Sequence, residues 1–207
     1  MQDAVWWIEL IKVSPSLLAA LLATGVILYW RRDIGERMRS MTQFKVLGME
    51  AVFDAKALDK AIESQGVAVS LGDRRGALKR MHFIAPILRD MRLLWVDDNP
   101  TGTRSERALL EDVGIRITVV VSSADAEKEL RNHLFTLMIT DLRREGRDDE
   151  GLRFVSRARS ERFNRWTIAY VSTDQFGLGV PPGLFGITHR PDHLLHLVCD
   201  VAERERL

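Results

Sequence analysis

Five polar residues in the carboxyl-terminal half stand just beyond apolar runs, where a fold could gather them. Leu93-Leu94-Trp95-Val96 runs into Asp97-Asp98, and Leu137-Met138-Ile139 is closed by Asp141. Trp166 to Val171 ends at Ser172, and the weaker stretch Leu184 to Thr188 is followed by Arg190-Pro191. Carboxylates brought together repel one another. The usual resolution is a hard divalent cation held by oxygen ligands. Mg2+ is the expected ion here, with Asp97, Asp98 and Asp141 as its ligands.

The elements around these residues must do the gathering. Ala108, Leu109, Leu110 and Val113 form one helical face, closed by Gly114. Ile115 to Val121 is rich in β-branched residues. Ala124 to His133 reads as a helix, with Ala126, Leu130 and Leu134 on one side. Gly151 to Arg159 and Leu194 to Ala202 read as two more helices. Short continuous apolar strands alternating with amphipathic helices indicate a parallel sheet covered on both faces. In such a sheet ligands sit beyond the carboxyl ends of the strands. The expected fold is an α/β, flavodoxin-like, doubly wound sheet of five parallel strands over residues 91–207. In the strand order 2-1-3-4-5, the first and third strands are neighbours, so Asp97, Asp98 and Asp141 would share one pocket.

The acidic pair in Trp-Val-Asp-Asp-Asn-Pro, the single Asp141, Ser172 at a hydroxyl position and Arg190 before Pro191 together resemble the receiver domain of two-component response regulators. The resemblance spans roughly Arg92 to Arg204. It implies that Asp141 is the phosphoacceptor, that Asp97 and Asp98 hold Mg2+, and that Ser172 contacts the phosphoryl group. In-line transfer needs a metal, a nucleophilic carboxylate and an opposing cation, and Arg190 would be that cation. Three departures stand out. The family's last signature residue is a lysine, and the planar fork of Arg190 is not interchangeable with a compact ammonium. The loop after Asp141, Leu-Arg-Arg-Glu-Gly-Arg-Asp-Asp-Glu-Gly, lacks the family's Met-Pro and is heavily charged. Its Asp148, Asp149 and Glu150 are expected to repel an anionic phosphodonor. Only Thr-Asp-Gln-Phe-Gly-Leu-Gly-Val-Pro-Pro-Gly separates Ser172 from Leu184, and its glycines and prolines disfavour the helix the family has there.

The 207 residues include 30 Lys+Arg against 29 Asp+Glu, a formal charge of +1. That balance gives no general drive toward nucleic acid. The lone Cys199 excludes an internal disulfide and is expected to be buried packing. His189, His193 and His196 are expected to be solvated surface residues. No phosphate-binding glycine loop or serine elbow appears.

Val13 to Trp30 carries no charge. As a helix, its 18 residues would span roughly 27 Å, close to the hydrocarbon thickness of a bilayer. Tyr29 and Trp30 resemble an interfacial aromatic belt, and Arg31-Arg32 follow at once. The expected organisation is a membrane anchor at 1–32, a connector or dimerisation stalk at 33–90 and the receiver-like domain at 91–207. The positive-inside rule then gives a single pass through a bacterial inner membrane, with the carboxyl-terminal domain in the cytoplasm. Within the connector, residues 44–53 suggest a hairpin or bent strand. Asp54 to Gln65 reads as a helix stopped by Gly66, Gly72-Asp73 and Gly76 as a turn, and Leu78 to Leu88 as a second helical patch.

Two functions compete. In the first, a membrane-tethered signalling module is switched by phosphorylation of Asp141 or by a partner protein, and a histidine kinase is the expected donor. In the second, a membrane effector of a bacterial stress or antiphage defence system senses a ligand or another component of that system. A homo-oligomer is compatible with both. A hydrolase with Asp141 as nucleophile ranks last, because no group is expected to activate the second-step water, so the chain is not expected to be an enzyme.

Overall fold

Strands buried on both faces need near-continuous apolar sequence, and the central strands of this sheet have it. In the structure, a computed structural model, residues 54–144, 146–161, 163–172 and 179–206 are described. They form α1 (residues 54–65), α2 (Leu71–Phe83), α3 (Ala85–Leu88), β1 (Arg92–Val96), α4 (Arg104–Asp112), β2 (Arg116–Val120), α5 (Ser123–Asn132), β3 (Leu137–Thr140), α6 (Glu150–Ser160), β4 (Trp166–Tyr170), β5 (Gly186–Thr188) and α7 (Pro191–Arg204). The five strands are parallel, in the order β2-β1-β3-β4-β5. The expected doubly wound sheet and its strand order are therefore observed. β1, β3 and β4 are buried almost throughout, whereas the edge strand β2 is partly exposed.

Side chains alternate across each strand, so each strand serves two cores. Leu93 and Trp95 face a core shared with α1, α2, α4 and α7. Leu94, Val96 and Met138 face a second core closed by Ala126 of α5 and by Phe154, Val155 and Ala158 of α6. The first core is the larger because helices from the expected connector are built into it. Leu58 and Ile62 of α1, Ala77 and Met81 of α2, and Leu88 of α3 join Leu93, Leu109 and Val198 in one buried cluster. All of the described residues lie in one compact unit, Ala51–Leu207.

The structure corrects three local expectations. Gly72, Asp73 and Gly76 lie inside α2, not in a turn. The Ser70 hydroxyl caps that helix by accepting from the Asp73 N–H, and burial of Ala77 and Met81 outweighs a glycine cost of about 1 kcal/mol each. The patch Leu78 to Leu88 is broken at Ile84, because Pro86 has no N–H with which to continue α2. Leu134 is not on the inner face of α5. The helix ends at Asn132, and Leu134 is 86% exposed. Gly66 and Gly114 stop α1 and α4 as expected, with φ of +63° and +97°.

No helix among the described residues is long and apolar enough to cross a membrane. The expected anchor at Val13 to Trp30 and the expected hairpin at 44–53 lie outside the described residues.

Candidate functional site

The parallel register brings the carboxylates together. Val96 of β1 pairs with Thr140 of β3, so the next residues on both strands, Asp97 and Asp141, emerge side by side. The Asp141 N–H donates to the Val96 carbonyl and the Asp97 N–H to that of Val120, which fixes both backbones at the carboxyl end of the sheet. One oxygen from each of Asp97, Asp98 and Asp141 lies within 4.8 Å of the others. Asp97 and Asp141 open on a cleft of about 260 Å3 whose walls include Trp95, Thr103, Tyr170 and Ser172.

The three acids are held differently. Asp97 is buried and accepts at 2.8 Å from both the Asn99 N–H and the Thr103 hydroxyl. Arg107 locks that support by donating to Thr103 Oγ1 at 2.7 Å and to the Pro100 carbonyl at 2.7 Å. Asp98 is exposed at the rim. Asp141 is half-buried and accepts from the Arg143 N–H at 3.2 Å. Burial pushes its carboxyl above the usual range, the Arg143 N–H opposes this, and the charges of Asp97 and Asp98 add to the rise. A cluster of hard oxygen donors whose negative charge is confined in this way fits a hard divalent cation such as Mg2+.

The fold is shared with known proteins, although no family model and no curated protein matches the sequence. The receiver domain of a Francisella response regulator is similar at 18% identity and a TM-score of 0.50, over 56% of this chain and 99% of that one. The carboxyl-terminal half has a receiver fold. Response regulator TrrA from Thermotoga maritima, solved in complex with Mg2+-BeF, is similar at 19% identity with a TM-score of 0.48, covering 54% of this chain and 98% of its own. A response regulator receiver protein from Sinorhizobium medicae is 22% identical with a TM-score of 0.46, over 56% and 97% of the two chains.

Not every expected site residue joins the acids of this receiver-fold domain. Ser172 lines the cleft. Arg190 lines a separate hollow with Val67, Thr188 and His193. Its guanidinium grips Asp192 through Nε at 3.2 Å and Nη2 at 2.7 Å, and lies 3.5 Å from Asp73 of α2. Burial opposes ionisation of Asp192, but Arg190 more than compensates and holds its carboxyl below the usual range. The guanidinium expected to oppose Asp141 is thus engaged by two carboxylates of its own.

Three acids of the charged loop after Asp141 meet arginines. Asp148 meets Arg143 at 3.3 Å and Asp149 meets Arg153 at 2.7 Å. Glu150 is buried and accepts from Arg157 Nη2 at 2.8 Å and from Ser123 Oγ at 2.9 Å. The Arg157 guanidinium holds its carboxyl low. Each of these three acids therefore has an arginine partner within the domain. Between Ser172 and β5, the described part 179–185 is non-helical, and residues 173–178 lie outside the described residues.

Four features at the site are absent from the sequence reading. Thr103 and Asn99 orient Asp97. Arg144 is buried, donates from Nε to the Asp141 carbonyl at 3.0 Å and stacks 5.4 Å from the Phe154 ring centre. Buried Glu106 accepts from the Tyr170 hydroxyl at 2.7 Å, and Tyr170 packs edge-on against Trp95. Ser64 and Gln65, at the end of α1, line the cleft. Glu106 alone left a sequence signal, since it stands at i, i+3 and i+4 with Leu109 and Leu110 on an otherwise apolar stripe.

Of the remaining residues, Cys199 is buried, and burial pushes its thiol up to about 12, as suits packing and not reactivity. His196 departs from its solvated expectation. It is half-buried against Arg80, and burial, reinforced by that guanidinium, lowers its pKa.

Proposed function

We propose that this chain is a signalling protein whose receiver-fold domain binds Mg2+ at Asp97, Asp98 and Asp141 and is switched through that site. The observation that carries the reading is the convergence of three carboxylates, one buried and one half-buried, at the carboxyl ends of neighbouring parallel strands. A bound Mg2+ would supply charge neutralisation for transferring oxygens. Of the chain's own groups, an Asp141 oxygen attacks the phosphorus of a small acyl phosphate, and the bond from phosphorus to the leaving carboxylate breaks with its electron pair. The Ser172 hydroxyl donates to a phosphoryl oxygen. The switch makes the domain a receiver of a signal and not an enzyme in its own right, and a histidine kinase is the natural donor.

The engagement of Arg190 by Asp192 and Asp73 favours a second reading. In it the acidic site binds the cation, and the response is to a ligand or partner protein, as in a membrane effector of a stress or defence system. Acetyl phosphate with Mg2+, followed by intact-mass measurement, separates the two. The first expects a gain of one phosphoryl group that Asp141→Asn abolishes. The second expects no gain, with Mg2+ still raising the melting temperature of the parent and not of Asp98→Ala, because binding to the native state alone stabilises it. If Mg2+ shifts both proteins equally, the metal site itself fails.

The uncharged run from Val13 to Trp30, with arginines on one side only, supports tethering of this module to the inner face of a bacterial membrane. The full chain is expected to stay in the membrane fraction through carbonate extraction. A chain lacking residues 1–32 is expected to leave it. Recovery of the full chain in the aqueous fraction without detergent would contradict the tether.

A further inference from the structure

The first helix of the described chain ends inside the acidic cleft. Ser64 and Gln65, the last residues of α1, line the same space as Asp97, Thr103, Asp141 and Ser172. The Ser64 hydroxyl lies 3.5 Å from the Gly102 carbonyl, so the helix end touches the loop that follows Asp98. Gln65 stands beside the buried Glu106–Tyr170 pair, and its amide opposes the rise that burial imposes on both groups. Tyr170 donates to Glu106 Oε1 at 2.7 Å. A primary amide carries two donors and an acceptor, so one N–H of Gln65 can serve this buried pair while the other is available to an occupant of the cleft.

We propose that Gln65 is a binding residue of the acidic cleft, contacting the oxygen shell of the cation or phosphoryl group held there, and that α1 tightens when the cleft is filled. The inference rests on the proposed Mg2+ site and adds what reads its occupancy. Arg190 is engaged elsewhere, and Ser64, Gln65, Asn99 and Ser172 are among the neutral side-chain donors of the cleft that could meet an occupant's oxygens. Leu58 and Ile62 anchor α1 in the large core, so a change at its carboxyl end acts on a rigid element. That element is continuous in sequence with residues 1–53.

The test uses the full 207-residue chain, with MgCl2 alone and with MgCl2 plus beryllofluoride as a phosphoryl mimic. Amide exchange across residues 54–66 is expected to slow on each addition. Gln65→Ala should remove that protection and weaken the apparent affinity for beryllofluoride roughly fivefold, the worth of one neutral hydrogen bond. Gln65→Met keeps the side-chain length without the amide and should behave like Gln65→Ala. If Gln65→Met binds and protects like the parent, packing and not contact is at work, and the inference is overturned. If Mg2+ raises the melting temperature but exchange in α1 is unchanged, the inference fails while the metal site stands. If Mg2+ has no effect on melting at all, both fail.

Discussion

Gly151→Ala is expected to destabilise the domain by about 3 kcal/mol and to weaken its response to Mg2+, although the substitution adds one methyl group. A Cβ at this position would lie 2.4 Å from the Asp141 carbonyl oxygen and 2.6 Å from Leu142 Cα. Both are backbone atoms and cannot swing aside like the end of a side chain. The Gly151 N–H donates to the Leu142 carbonyl at 3.0 Å, so the first turn of α6 is tied to the strand end that carries Asp141. Relief of the clash requires α6 to move outward or Asp141 to shift, and a shift of Asp141 disperses the carboxylate cluster. Gly76→Ala is the control. Gly76 sits within α2, no atom lies within 4 Å of its would-be Cβ, and its φ is not positive. Alanine there should stabilise by up to about 1 kcal/mol through helix propensity. Urea denaturation of both variants with and without MgCl2 measures the difference. A Gly151→Ala protein as stable and as responsive to Mg2+ as the parent would show that α6 is not packed on Asp141 in this way.

Leu58→Ala should cost about 2–5 kcal/mol, the range for a fully buried leucine whose cavity closes only in part. Leu58 is fully buried in the core that also holds Leu93, Leu109 and Val198. The residue lies in what sequence periodicity assigns to a connector, where a truncation of this kind would cost little. Leu71→Ala, at a position 67% exposed, should change stability by well under 1 kcal/mol. Unfolding can be followed by the fluorescence of Trp95, which is buried in the same core. Equal midpoints for Leu58→Ala and the parent would mean that α1 does not share the core of the sheet.

The sheet was legible because each central strand is buried on both faces, so its apolar character is continuous and local. An acid directly after such a run can be read as a strand-end residue without knowing what lies beside it. Asp97, Asp141 and Ser172 stand at such strand ends and line the cleft, and Asp98 brings a carboxylate oxygen within 4.8 Å of the other two acids. Arg190 was legible as a position but not as a partner. Its grip on Asp192, two residues away, and its approach to Asp73, over a hundred residues earlier, depend on rotamers and on where α2 lies. The loop acids Asp148, Asp149 and Glu150 show the same limit, because charge counts in sequence do not say which arginine each acid meets.

Helical spacing in Asp54 to Gln65 showed that α1 has one apolar face, but an amphipathic face does not name what covers it. Local patterning carries the apolar runs, their acidic ends and the glycine stops, while the order of the five strands follows only from the fold class that they suggest. Tertiary structure alone decided that α1, α2 and α3 close the larger core, that Gln65 reaches the acidic cleft, and that Glu106 finds the Tyr170 hydroxyl. The physical reason is range. Strand burial and helix stops are written in neighbouring residues, whereas pairing of buried polar groups and docking of a helix end on a loop depend on residues brought together only by the complete packing.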